Sequence, residues 1–307
     1  MSKKKVWNFI ALLSAVLLIL PGDSLADESA QLTQGQANPY KVKFGLRLTG
    51  GASLLMRNDF NDHLQGLNDF HDESSYFTLD SEFELIKMGM DFGGEILINF
   101  MPHFSLGIGA GYIGAEKETF TEYKYWTVDA EMTYHPRFSV IPITLSFYYG
   151  IPLGSSMEVV LNAGIGYYIG TVNIDSYYKD VSSGYLSEEE ETWSAKSNAF
   201  GFHGGIDLEF GIAPNLALVL GAKGRYANLT DLTGDLEWEI DTNYGYSDLG
   251  TERDLTLWFG DYEYTTEKYP RLYLSEDKPS SSWWSDVRKA EVNLSGIVFQ
   301  AGIKVAF

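Results

Sequence analysis

Five histidines and a set of regularly spaced acids and bases are the residues here that could do chemistry. A hydrolytic site would hold a Ser or Asp against a His and an acid. His135, with Asp129 and Glu131 nearby in sequence, has that composition. His203 shares an alternating face with Asp207, His63 and His71 lie in a stretch rich in Asn and Asp, and His103 follows Met101-Pro102 as a turn residue would. No recognised catalytic motif surrounds any of the five, and no loop has Ca²⁺-ligand spacing. The chain reads as a non-enzyme without a cofactor. It has no Cys, which excludes disulfides, thiolate metal sites and a cysteine nucleophile. The larger group is a set of acids (Asp91, Glu95, Glu158, Asp207, Glu209) and bases (Lys43, Arg47, Lys87, Lys223, Arg225, Lys304), joined by His203. Near-balanced opposite charges on one face point to mutual neutralisation in a confined interior, where an isolated charge is costly.

The elements that must position these charges alternate with period 2. From Ile86 the even positions are Ile86, Met88, Met90, Phe92, Gly94, Ile96, Ile98 and Phe100, and Lys87, Asp91, Glu95 and Asn99 fall between them. Seven further stretches alternate in the same way, over 42–48, 104–112, 141–149, 159–169, 200–212, 216–226 and 297–307. Most reach the ~9–11 residues that a tilted strand needs to cross a bilayer. Their apolar faces carry aromatics near the ends, where an interfacial girdle would lie. Connections alternate between short (Pro102-His103, Gly150–Ser156, Ala213–Asn215) and long, starting at Arg57, Ala115, Thr171 and Ala227. The pattern predicts an all-β, eight-stranded antiparallel up-and-down transmembrane β-barrel with short periplasmic turns and long extracellular loops. Arg47 is expected at the depth of Asp91 and Glu95 on the neighbouring strand, and Lys223 and Arg225 near Asp207 and His203. The small inner faces at Gly107, Gly109, Gly111, Gly164 and Gly166 leave room for water or for long side chains opposite.

Lys3, Lys4 and Lys5, the apolar run Phe9–Leu20 and Ser24-Leu25-Ala26 form a secretory signal with cleavage after Ala26. Residues 1–26 are thus read as signal, 27–39 as a short periplasmic tail and 40–307 as the barrel, with 227–290 its longest extracellular loop. The 307 residues carry 22 Lys+Arg and 42 Asp+Glu, and a net charge of −20 argues against nucleic-acid binding. The loops hold much of that charge, including the run Glu188–Glu191 and 14 acids against 6 bases in 227–290. Within that last loop, Leu255–Tyr264 and Arg271–Leu274 are expected to form a hairpin above the membrane; the alternative, strands nine and ten of a larger barrel, is disfavoured because Asp261, Glu263 and Glu267 leave no clean lipid face.

The segment 297–307 ends on Phe307 with Val305, Ile303, Ala301 and Phe299 at alternate positions before it. In this the chain resembles the small eight-stranded outer-membrane barrels of the OmpA, OmpX and OmpW type, over about residues 40–307. The resemblance implies that Phe299, Ile303, Val305 and Phe307 form a signal read by the barrel-assembly machinery. It implies a location in the cell outer membrane among lipid and lipopolysaccharide, and a monomer. It does not imply one activity, since members of a fold share no single function. A structural, surface-interaction or narrow porin-like role is the first expectation. An OmpW-like conduit for small apolar molecules, or a lipid- or peptide-modifying enzyme at the rim, is the alternative. Two features depart from the family: the length of 227–290, and no peptidoglycan-binding domain after the barrel.

Overall fold

The computed structural model describes residues 42–307 apart from 57, 74–76, 80–81, 126–127, 183 and 265–266. The expected signal (1–26) and periplasmic tail (27–39) lie outside the described residues, as does the His71 side chain. In chain order the first elements are β1 (Lys43–Leu55), α1 (Asp59–Glu73), β2 (Phe77–Leu79), β3 (Met88–Met101), β4 (Phe104–Glu116), β5 (Thr119–Tyr125), β6 (Val128–Pro152), β7 (Met157–Ser182) and β8 (Tyr185–Ala213). They are followed by β9 (Leu216–Leu229), β10 (Thr233–Thr242), β11 (Ser247–Tyr264), β12 (Glu267–Ser275), β13 (Trp284–Lys289), β14 (Val292–Asn293) and β15 (Gly296–Ala306).

Eight strands close on themselves in the order β1-β3-β4-β6-β7-β8-β9-β15, every neighbour antiparallel, with β15 returning to β1. Each of the eight alternating stretches supplies one of them. One row of paired residues runs from Gly45 through Leu97, Gly107, Ser146, Gly164, His203, Arg225 and Gly296 back to Leu55. The row returns ten residues further along β1, since 55 − 45 = 10. With eight strands, a rise of ~3.3 Å and a spacing of ~4.8 Å, that stagger sets a strand tilt of about 41°. Outward positions are apolar around the whole ring, among them Ile96, Ile108, Ile143, Phe147, Phe202 and Leu220, and they are exposed. From Ile141 to Ile151 on β6, the belt climbs about 25 Å at that tilt, the height of the lipid-facing band of outer-membrane barrels. Aromatic pairs edge it: Phe104–Tyr149 (centroids 4.8 Å apart) beside the short turns and Tyr167–Phe200 (5.0 Å) at the other end.

The eight-stranded description is incomplete, because the long connections are structured. β7 and β8 run past the belt as one hairpin, paired without interruption from Met157↔Phe210 to Ser182↔Tyr185. β10, β11 and β12 extend the same sheet from the upper half of β8, and β5 and β2 extend it from β6. Leu255–Tyr264 and Arg271–Leu274 do pair, as the second half of β11 with β12, outside the ring.

Above the belt the polarity of each wall inverts. On β6 the apolar positions switch from outward Ile141 and Ile143 to inward Tyr134, Phe138 and Val140. On β7 they switch to Tyr168, Val172 and Ile174, and on β9 from Tyr226 to Ala227 and Leu229. These side chains meet Leu255, Leu257, Leu272 and Leu274 in one buried core. The helix α1 completes it. Phe60, Leu64 and Leu67 form a one-sided stripe, buried in that core. Asn58 caps its start, its Oδ1 accepting from Asn61 N at 2.9 Å. The helix packs along β12, and Leu272 N–H donates to His63 Nδ1 at 3.3 Å. Asn61 and Asn68 each exchange two hydrogen bonds (2.8–3.0 Å) with the backbone of Ile86 and Phe83 respectively. Seven helical residues and three extended ones both span about 10 Å, so the two amides stand in register with one strand-like segment.

Candidate functional site

The interior of the ring holds three linked polar clusters. Nearest the short turns, Arg47 of β1 reaches across to β8, with Nη2 2.7 Å from Asp207 Oδ2 and Nη1 3.3 Å from Glu209 Oε1. Lys304 Nζ bonds the other Glu209 oxygen at 2.6 Å. Asn162 and Gln300 donate their amides to Asp207 at 2.8 and 2.9 Å. The centre belongs to Glu95, which accepts from the Tyr148 hydroxyl and from Ser146 Oγ at 2.9 Å. His203 Nε2 lies 3.0 Å from the same Ser146 oxygen. Highest, Arg225 pairs with Asp91, donates to Ser53 Oγ at 3.1 Å, and donates Nε–H to Leu294 O at 2.9 Å. Arg47, Asp91, Asp207, Glu209 and Arg225 are all buried.

These partners differ from those expected of the sequence. Arg47 stands directly opposite Glu95 in register, yet its guanidinium bonds Asp207 and Glu209. Arg225 likewise turns from Asp207 to Asp91. The reason is lateral crowding: Glu95 is already taken by the hydroxyls of β6, and its stem fills the space over Gly109, its register partner on β4, where a Cβ would meet Glu95 Cγ at 2.4 Å. The same pairing of a long inward side chain with glycine recurs at His203/Gly164 and Asp207/Gly221. The small faces therefore admit long side chains. Lys43 and Lys87 are exposed and stand outside the network, and Glu158 lies at the mouth, 3.4 Å from His103. Lys223 lines an internal cavity, facing the same space as Glu95 and His203.

That cavity is about 40 Å³, lined by Glu95, Thr144, His203, Lys223 and Gln300 among others, enough for a few waters. A second, of about 110 Å³, lies toward the short turns beside His103, Glu158 and Lys304. Arg47 and Tyr148 line both and form their common wall, the guanidinium 5.1 Å above the phenol ring. Leu97 and Val160 pack against Tyr148 at the same level.

Ser146 has one proton; when it is donated to Glu95, His203 Nε2 is the donor to Ser146 Oγ. At the rim, Asp129 is bonded to Lys124 (3.2 Å) and Glu131 to Lys179 (3.7 Å), while His135 stands opposite Asp175 in register. Asp175 is itself paired with Arg137. His63, expected in a loop, is instead on the buried face of α1, where burial and then the Arg271 charge pull its pKa well below the ordinary value. Sequence reasoning missed the neutral members of the network (Ser53, Ser146, Tyr148, Asn162, Gln300); their shared inward phase was the available signal. Phe299 and Phe307 face outward and are exposed, and Phe307 N–H donates to Phe44 O at 2.8 Å.

No protein-family model and no curated protein matches the chain. Among solved structures, it is similar to a major outer membrane protein from Thermus thermophilus, with 13% identity, 87% of this chain and 100% of that chain covered, and a TM-score of 0.39. It is similar also to the outer membrane protease OmpT from Escherichia coli, with 11% identity, 89% and 99% covered, and a TM-score of 0.26. Scores this low carry no functional inference.

Proposed function

We propose that the chain is a monomeric, non-enzymatic outer-membrane barrel of the eight-stranded kind, closed to solutes, that presents an ordered acidic platform at the cell surface. The polarity inversion carries this reading. Below one level the ring is polar inside and apolar outside; above it, apolar inside and polar outside. Lipid satisfies the lower wall and water the upper, so the inversion marks a membrane surface. The belt would lie among lipid and lipopolysaccharide, with the short turns and Phe307 in the periplasm, and Phe299, Ile303, Val305 and Phe307 would be read by the assembly machinery. A conduit for apolar molecules needs an open apolar pocket in the outer half. Tyr168, Val140, Leu229 and Leu294 fill that volume, each fully buried. Reconstitution into planar bilayers tests the closure. Silence under moderate voltage is the expected result, and stable unitary conductance steps would refute it.

A further inference from the structure

We propose that the outermost end of the extended sheet docks a basic polypeptide carrying aromatic or aliphatic side chains; this rests on the surface orientation proposed above. Tyr185, at the β7–β8 turn, stacks on Tyr244, at the β10–β11 turn (centroids 5.8 Å, planes 22° apart). Tyr246 follows in the same hairpin, on the face of Tyr185 by register, and Tyr244 and Tyr246 are 73% and 59% exposed. The patch is held rigid. Asn243 stitches the two turns, accepting from Leu186 N at 3.1 Å and donating to Gly184 O at 2.7 Å. The Thr242 hydroxyl bonds both N and O of Tyr246, and Gly245 takes the left-handed φ of 80° that the turn requires. An ordered aromatic patch binds without an ordering cost.

Its surroundings select the partner's charge. Residues 175–192 and 233–256 hold thirteen acids against only Lys179 and Arg253. Register places Asp180, Glu189 and Asp248 on the same face of the sheet as Tyr185 and Tyr246. Carboxylates clustered on that face attract a cationic partner and repel an anionic one. Another copy of this chain brings the same negative field, and anionic lipid headgroups are repelled as well. The patch also stands away from the membrane: Ile169 to Ser182 is about 40 Å along β7 at ~3.3 Å per residue. A basic polypeptide with apolar side chains answers both features.

The test uses the full chain refolded in detergent and three fluorescein-labelled decapeptides: alternating Lys-Tyr, all-Lys, and alternating Glu-Tyr. Anisotropy should show the Lys-Tyr peptide binding at least about tenfold tighter than all-Lys, and no binding of Glu-Tyr. Tyr244→Ala with Tyr246→Ala should bring Lys-Tyr down to the all-Lys level and leave all-Lys unchanged. Asp180→Asn, Glu189→Gln and Asp248→Asn together should weaken both basic peptides. Unchanged gel heat-modifiability of the variants controls for folding. The proposal is overturned if all-Lys binds as tightly as Lys-Tyr, if neither basic peptide binds, or if the variants bind like wild type. Orientation is scored separately. The chain has no cysteine, so Ser247→Cys on whole cells reports it with an impermeant maleimide. Labelling without peptide binding sinks the docking surface alone; peptide binding without labelling sinks the orientation alone.

Discussion

Gly221 and Gly224 lie three residues apart on β9, and replacing each with alanine should have opposite consequences. A Cβ at Gly224 meets one atom, Gly204 O at 3.7 Å, and points out from the ring. A Cβ at Gly221 meets Asp207 Oδ1 at 1.8 Å and Ile206 O at 2.8 Å. The Asp207 carboxylate cannot simply retreat, since Arg47 (2.7 Å), Asn162 (2.8 Å) and Gln300 (2.9 Å) hold it on three sides. Displacing it breaks a buried ion pair and two amide bonds, which costs about 3–5 kcal/mol. Both substitutions remove the same unfolded-chain entropy, which favours folding by about 0.4–1 kcal/mol, so the difference between them isolates the clash. Gly224→Ala should be neutral or slightly stabilising. Urea titration of barrel refolded in phospholipid micelles, followed by Trp fluorescence and by gel heat-modifiability, measures both. Midpoints equivalent to within about 1 kcal/mol would show that the inward phase of β9, and with it the assigned network, is wrong.

Ile96→Arg places a cation on the lipid face and should cost roughly 2–4 kcal/mol near the midplane. Asn99→Arg on the inward face near the short turns should cost less, and equal losses of folded protein would contradict the two-faced wall. Phe307→Ser removes one exposed interfacial ring and should barely change stability after refolding in vitro, while slowing insertion in cells. Normal surface levels by protease shaving would show that Phe307 is no assembly signal. His63 is neutral in the docked cap, but in a helix released into water it titrates near 6.5. A folded pKa pulled below the free value means docking is fullest above pH 6.5 and weakens as pH falls below it, by up to about tenfold per unit. Amide protection factors over 59–73, measured from pH 8 to 5, should decline in wild type. They should stay level in His63→Gln, which keeps an acceptor for Leu272 N–H.

The ring was legible because lipid imposes one rule on every strand within it. Outward residues are apolar and inward ones polar, so period 2 persists for ten residues or more, and all eight ring strands could be read in phase. The cap was not read, although its signal is of the same kind. On β7, the outward set Ile165, Tyr167 and Ile169 gives way to the inward set Tyr168, Val172 and Ile174. A reader following one phase sees the pattern end where it in fact inverts. In α1 the stripe Phe60, Leu64 and Leu67 is helical in period, but Asn and Asp residues between its members give the composition of a loop. Network partners were the least legible part. Register names neighbours on adjacent strands, and Arg47 reaches instead to a strand that is not its neighbour in the ring, a choice set by which lateral partner already occupies the space.

On the function proposed above, the interior is closed twice, by opposite physics. The lower closure is ionic: Asp207 has three donors, Glu209 two bases, and Arg225 three acceptors. Such a cluster excludes solutes only while every member is paired, because one missing partner leaves a buried charge that draws in water. The upper closure has no such sensitivity. Val140, Leu229, Leu232, Val292 and Leu294 are entirely inaccessible and lie in the apolar core that α1 completes. Its stability follows the apolar area removed from water, and salt does not screen it. Stacking the two solves a problem that either alone leaves open. A wholly apolar filling would give the ring a lipid-like face on both sides, with nothing to fix which face turns inward. A wholly ionic filling would stand exposed to extracellular salt and divalent cations. The change of phase at the membrane surface is what allows one continuous set of strands to carry both.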